Sequence, residues 1–372
     1  MSFKFESIAM KVVFIQVLML LLMCISASAQ QFTVTRDTIR IDASLFGETP
    51  KTNIQLRAAD SREGLYLLMY HRESMESWGK DILLCVDKDS HKVTHIDLPD
   101  SPISDQLSYG NIFTRHDSLI LKVHAYHESD VSFYRWAREH HDKEEMKKNL
   151  NFTLNTLTGQ WKPVKSANDL IYEDDQYKVC YWECGEWGDY MVFQERKNRK
   201  RHLFMAAGRL LELNGSYYVV SSYSINKIDN PRQGKVYRGK KYYKLGREDY
   251  TLPQKVLQLT PPESRFIELT KEYLLNDPRT YICTAFTHNG ILYCIMRSPE
   301  GMYIASYRDG ALHKEMDLGC NYHTKNWRGH LLRVNNHPNN QAFLQCEDVT
   351  TDNPVILTVE GSKIHIWYLE IK

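Results

Sequence analysis

Apolar and polar positions alternate with a period of two through much of the chain. Leu65–Tyr70, Ile82–Val86, Leu119–Val123, Tyr190–Phe193, Tyr217–Val220, Ile291–Ile295 and Val355–Val359 are short apolar runs rich in β-branched and aromatic residues. Runs of this length and composition predict strands. Asn214-Gly215 and Asn289-Gly290 are the strongest hairpin signals between them, because Asn and Gly both accept the positive φ of a type I′ turn. With Asn289 and Gly290 as the two loop residues, Ala285 faces Cys294. Cys283 then lies on the same face, two residues off along the diagonal, which is long for a disulfide.

A second set of turns recurs near Asp89, Thr158, Asn198, Gly239, Asp309 and Glu360, at spacings of 69, 40, 41, 70 and 51 residues. A four-stranded antiparallel blade takes about 40 to 50 residues. The two longest spacings hold helix-like inserts, Arg138–Leu150 and Thr260–Asn276. The second opens on Thr260-Pro261-Pro262-Glu263, a capping box with Pro at the first helical position, and ends at Asn276-Asp277-Pro278. A β-sandwich takes about 100 residues and would have to recur three times, yet no linker rich in Pro, Gly or Ser divides the chain. An all-β propeller absorbs residues 30–372 as one domain, with six blades the expected number and five or seven its neighbours. From Asn53 to the C-terminus the strand rhythm and hairpin spacing resemble six-bladed β-propellers of the TolB-like kind, as found in exported bacterial proteins. The Trp-Asp ending of WD40 blades, the doubled glycine of kelch and the Ser-x-Asp-x-Gly box of sialidases are absent, so the resemblance implies architecture and no activity. Phe32–Arg36 is expected to complete the last blade beside Ile364–Ile371, closing the ring and covering an open edge.

The first 29 residues read as a secretory signal peptide. Lys4 and Lys11 precede the apolar run Val12–Ile25, and Ala27-Ser28-Ala29 is a small-x-small cleavage site. The run is shorter than the roughly 20 residues of a membrane span, and no later run reaches that length, so no transmembrane span is expected after signal removal. The chain is read as exported, to the periplasm or the extracellular space. Seven cysteines remain after Cys24. Most sit in apolar runs, which reads as buried thiols acting as small hydrophobes.

The balance of 47 Lys and Arg against 46 Asp and Glu, with 42% hydrophobic residues, excludes disordered, collagenous and coiled-coil chains. Phosphate-loop, dinucleotide, nucleophile-elbow and zincin motifs are all missing, so no cofactor is expected. Cys180 and Cys184 would start about 13 Å apart on a strand, too far for a zinc pair, and no metal site is expected.

The distribution of charge says more than its sum. Between Arg196 and Arg247 stand 14 Lys and Arg against two acids, a net +12. Arg196, Lys197, Arg199, Lys200 and Arg201 crowd one turn. Lys235, Arg238, Lys240 and Lys241 crowd the next, with Tyr237 between them. Such a field attracts polyanions. The export signal argues against nucleic acid, leaving an anionic polysaccharide or an envelope protein as the expected partner. Upstream, Asp169 to Glu195 carries eight acids and one base. Within it Glu183, Glu186 and Asp189 stand among Trp182, Trp187 and glycines. Two carboxylates about 5 to 10 Å apart are what glycoside hydrolysis needs; the plainer reading is a loop whose acids pair with the adjacent basic turns. Histidines at 124, 127, 323, 330 and 337 offer a lyase or His-based glycosidase chemistry. The expectation is thus an exported, non-catalytic propeller that binds a glycan or protein partner, the alternative being a carbohydrate-active enzyme on the same scaffold.

Overall fold

The computed structural model describes residues 32–46, 54–61, 64–71, 82–99, 107–115, 118–125, 151–156, 158–164, 170–183, 189–238, 251–259, 280–323, 343–348, 351 and 353–372. The signal-peptide reading and both helix-like inserts lie outside these residues.

Six small sheets stand in a ring as a six-bladed β-propeller. β1 (Thr33–Ile41) precedes the first blade. Blade 1 is β2 (Ile54–Asp60), β3 (Leu65–His71), β4 (Ile82–Val86) and β5 (Val93–Ile96). Blade 2 is β6 (Leu107–Arg115), β7 (Ser118–Ala125), β8 (Asn151–Asn155) and β9 (Gln160–Val164). Blade 3 opens with β10 (Leu170–Glu173), β11 (Tyr177–Glu183), β12 (Asp189–Glu195) and β13 (Arg201–Met205). Blade 4 is β14 (Arg209–Leu213), β15 (Ser216–Val220) and β16 (Ser224–Ile228); after an excursion through β17 (Lys235–Tyr237) it is completed by β18 (Gln254–Gln258). Blade 5 is β19 (Tyr281–His288), β20 (Ile291–Ser298), β21 (Gly301–Arg308) and β22 (Ala311–Asp317). Blade 6 is β23 (Tyr322–His323), β24 (Phe343–Asp348), β25 (Pro354–Glu360) and β26 (Lys363–Ile371).

Position in the blade explains the hydrophobic pattern. A middle strand is covered on both faces by neighbouring blades, so both parities must be apolar. β20 is buried at every residue after its first, whereas β22, the last strand of the same blade, has no buried residue. The fourth strands β5, β9 and β18 likewise have no fully buried residue. Cores lie between successive blades. Leu67 and Leu84 of blade 1 pack with Trp367 and Leu369 of blade 6, Phe193 and Phe204 of blade 3 with Leu210 and Val219 of blade 4, and Leu211 and Val220 of blade 4 with Leu292 and Cys294 of blade 5.

The turns carry the backbone strain that their sequences accept. Asn214-Gly215 and Asn289-Gly290 have φ of 53° and 78°, and of 48° and 73°, as type I′ turns require. His91, Gly159 and Arg199 close three alike four-residue turns. Each has left-handed φ and bonds its N–H to the carbonyl four residues back, on Asp87, Asn155 and Glu195. Gly208, between blades 3 and 4, has φ +145°, and a Cβ there would lie 2.2 Å from the Val220 carbonyl oxygen. Gly208→Ala is therefore expected to cost more than about 2 kcal/mol, read as a lower midpoint in denaturant.

Two sequence readings need correction. Ala285 does face Cys294, but a bulge between Ile282 and Thr284 leaves Cys283 out of register. The extra residue reverses its side, so Cys283 joins the core between blades 5 and 6 while Cys294 joins that between blades 4 and 5. None of the six described cysteines is bridged. Burial pushes the Cys283 thiol up to about 12 and the Cys320 thiol up to about 11, which keeps both protonated and unreactive. The other correction concerns Gly239, which lies outside the described residues. The strand just before it, β17, does not continue blade 4 but pairs with β13 of blade 3, so the six turns are not six equivalent corners.

Ring closure follows the expected route and goes further along the chain. β1 pairs in parallel with β26 over its whole length, from Thr33 opposite Lys363 to Ile41 opposite Ile371, well beyond Arg36. Phe32, fully buried just ahead of it, meets Phe286 and Tyr293 of blade 5 edge-on. Asp37 of β1 bonds the His365 ring at 2.7 Å, and that ring stacks on Trp367 at 3.6 Å.

Candidate functional site

In an antiparallel blade, the first and third turns leave from one face of the ring, and the second turn and the link to the next blade leave from the other. The basic turn Arg196–Lys200, between β12 and β13, is a third turn. So is the excursion from β16 to β18. Both therefore open on one face. Glu183 and Asp189 end β11 and begin β12 at a second turn, on the opposite face, where the register pairs them directly. β12 has seven residues, so its two ends are about 20 Å apart along the backbone. Glu186 lies outside the described residues. His124 sits near the end of β7 and His323 closes β23; His127, His330 and His337 lie outside the described residues.

The excursion of blade 4 builds the site. After β16 the chain makes a 3-10 turn at Pro231–Gln233, capped by the Asn230 side chain on the Arg232 N–H. β17 then lies antiparallel on β13, with Tyr237 opposite Arg201 and Lys235 opposite Leu203. A strand from one blade thus becomes the outer strand of its neighbour. It brings the second basic segment against the first. Asn198, Arg199, Lys200 and Arg201 form one wall, and Val236, Tyr237 and Arg238 the other, of an open depression of about 700 Å³. Trp182 lies behind it. The Arg201 guanidinium sits 5.8 Å from the Trp182 ring centroid, and the Tyr237 ring meets Trp182 edge-on at 5.4 Å. Lys235 and Lys197 are exposed nearby in sequence but do not line the depression. Arg196 is turned to Glu173, at 2.8 Å. Lys240 and Lys241 lie outside the described residues.

Beneath both walls is Glu195, buried at the end of β12. Its Oε2 accepts a hydrogen bond from Asn198 Nδ2 at 2.7 Å. Its Oε1 is 2.8 Å from His202 Nε2 and 3.4 Å from Arg232 Nε. The hydrogen bond with His202, helped by those from Asn198 and the charge of Arg232, holds the Glu195 carboxyl below the usual range. The expected pairing of acids with basic turns is thus real at Glu173 and Glu195.

A second hollow of about 390 Å³ lies on the same face, at the seam of blades 3 and 4, among Tyr172, Asp174, Tyr177, Glu212, Tyr217 and Arg232. Burial and the nearby Asp174 carboxylate push the Tyr172 and Tyr217 hydroxyls well above their usual range. Its acids are engaged in local structure. Asp174 accepts from the Gln176 and Tyr177 N–H groups and from the Tyr217 hydroxyl, and Glu212 accepts from the Gly215 N–H. Neither the β17 excursion nor Glu195 stands out in the sequence; the cue is Asp229-Asn230-Pro231, a turn signal within blade 4. Among the described residues no group of His, Cys, Asp or Glu is arranged to hold a metal ion, and no helix is long and apolar enough to cross a membrane.

No protein-family model matches the chain, and no curated protein matches it. Among solved structures it is similar to a prolyl endopeptidase, with 9% identity and a TM-score of 0.43, over 85% of this chain and 49% of that one. It is also similar to a GH74 xyloglucanase from Xanthomonas campestris, with 12% identity and a TM-score of 0.30, over 84% of this chain and 46% of that one. A post-proline cleaving enzyme from Rickettsia typhi follows, with 8% identity and a TM-score of 0.32, over 84% and 44%. This chain spans about half the length of these structures. Likenesses this distant carry no argument about activity or ligand. The six blades rest on the sheets themselves.

Proposed function

We propose that the protein is an exported, non-catalytic propeller that binds an anionic polysaccharide at the cell envelope through the basic depression on blade 3. One observation carries the reading: β17, sent across from blade 4, sets Tyr237 and Arg238 against Arg199, Lys200 and Arg201. Arginine forks pair with carboxylate or sulfate groups, and an aromatic ring beside them offers a face to the apolar side of a sugar ring. The amino-terminal signal pattern and the resemblance to TolB-like propellers support the compartment.

A thermal-shift screen of residues 30–372 against neutral and anionic polysaccharides, at low and moderate salt, tests it. A ligand that binds only the native state raises Tm. Anionic polysaccharide is expected to raise Tm, less so at moderate salt because exposed charges are screened, while neutral polysaccharide has no effect. No shift with any glycan would move the reading to an envelope protein as partner. Saturable turnover of a polysaccharide, lost in Glu183→Gln or Asp189→Asn, would replace it by the enzyme reading.

A further inference from the structure

We infer that Glu195 is a positioning residue of the basic depression, a buried carboxylate that ties the turn of the first wall to the excursion that carries the second. The inference rests on that depression being the binding site, and it names what assembles it. The first wall depends on the turn after β12. Glu195 Oε2 accepts from Asn198 in that turn, next to Arg199 and Lys200. The second wall depends on the excursion that carries β17. Glu195 Oε1 faces Arg232 in the 3-10 turn just before it. Between the walls stands His202 of β13, whose backbone pairs with Val236 of β17 and whose ring bonds the same Oε1.

The main chain joins β13 to β17, but among the described residues no main-chain bond ties the turn after β12 to the 3-10 turn before β17. The Glu195 N–H bonds the Lys200 carbonyl and its carbonyl accepts from the Arg199 N–H. Those two bonds close the first turn without reaching β17. The Glu195 side chain touches both Asn198 of that turn and Arg232 of the 3-10 turn. His202 is almost wholly buried, and its Nδ1 has no partner among the described residues. Glu195 is thus the group that fixes the ring. A buried donor or acceptor left unmade costs more than a made bond contributes, so loss of the carboxylate unseats His202 beneath β17 as well as releasing Asn198 and Arg232.

Glu195→Gln separates this role from plain electrostatics, because the two predict opposite signs. The substitution removes one negative charge from beneath a basic surface. If Glu195 were only a counter-charge, affinity for a polyanion would rise. A positioning role predicts that affinity for a probe, polygalacturonate, falls by about tenfold, the loss of one charge-assisted hydrogen bond. It also predicts that amide exchange at β17 speeds up by about tenfold, with β20 and β25 unchanged. Equal or tighter binding with unchanged β17 exchange would overturn the inference. Should Glu195→Gln fail to fold, Arg232→Ala, an exposed substitution that cuts the Glu195 contact to the excursion together with the Arg232 bond to Tyr177, is read by exchange alone. Faster exchange at β17 supports the inference and an unchanged rate overturns it. Failure of the unaltered protein to bind polygalacturonate would count against the polysaccharide reading, while the exchange data would still decide the role of Glu195.

Discussion

Replacing Arg199 with Asn, and Arg201 and Arg238 with Gln, in one variant is expected to lower affinity for an anionic polysaccharide by about 100-fold or more at low salt. Hydrogen bonds to charged groups are worth roughly 1.5–3 kcal/mol each. Arg199 and Arg238 are exposed and Arg201 half-buried, so solvent screening brings each nearer to about 1 kcal/mol. Three such losses still amount to about two orders of magnitude. The choice of residues matters. Arg199 has φ of 58°, where Asn is tolerated and Ala is strained. Gln at position 201 keeps a chain of similar length beside Trp182. Tm without ligand should therefore stay close to that of the unaltered protein, and calorimetric titration reads the affinity. Unchanged affinity in a folded variant would place binding elsewhere on the ring.

The largest effect on stability is expected far from that site. Phe32→Ala should cost about 3–5 kcal/mol, as deletion of a large buried aromatic side chain does, and lower Tm by about 4–7 °C. Phe32 is 1% exposed, with its ring edge-on to Phe286 at 5.6 Å and to Tyr293 at 5.0 Å. It anchors in the core of blades 5 and 6 the strand that covers the edge of β26. Losing that anchor leaves a cavity and also frees β1 to leave β26 with an unpaired edge, which invites association between chains. The variant should therefore aggregate on heating at a lower temperature, seen by light scattering. A Tm change under about 2 °C would mean that the amino-terminal strand does not close the ring.

Much of the fold could be read from the sequence because the blade imposes a simple rule. Middle strands are covered on both faces and read as unbroken apolar runs, while outer strands read as polar, as β20 and β22 do. Asn-Gly turns announce themselves because few other pairs accept two positive φ values. Departures from regularity were not legible. Cys283 sits in a bulge, and nothing in Tyr281–Ser298 marks which residue drops out of register. Lys235–Tyr237 looks like half of a hairpin, since a strand carries no label for the sheet that it will join. The site was half legible for the same reason. The two basic segments were found by charge alone, and their meeting depends on a crossing between blades. Glu195 was counted among eight acids. Its difference from the others is burial beside His202, which only the folded chain reveals.

On the proposed reading, the arginines brought together by β17 form a site for an anionic polysaccharide. The decisive measurement is calorimetric titration of residues 30–372 with polygalacturonate across a series of salt concentrations. The expected result is saturable binding whose log Kd rises linearly with log salt, with a slope set by the number of charges engaged, and a smaller slope in the triple arginine variant. Binding that ignores salt, or a slope the variant does not change, would contradict the claim.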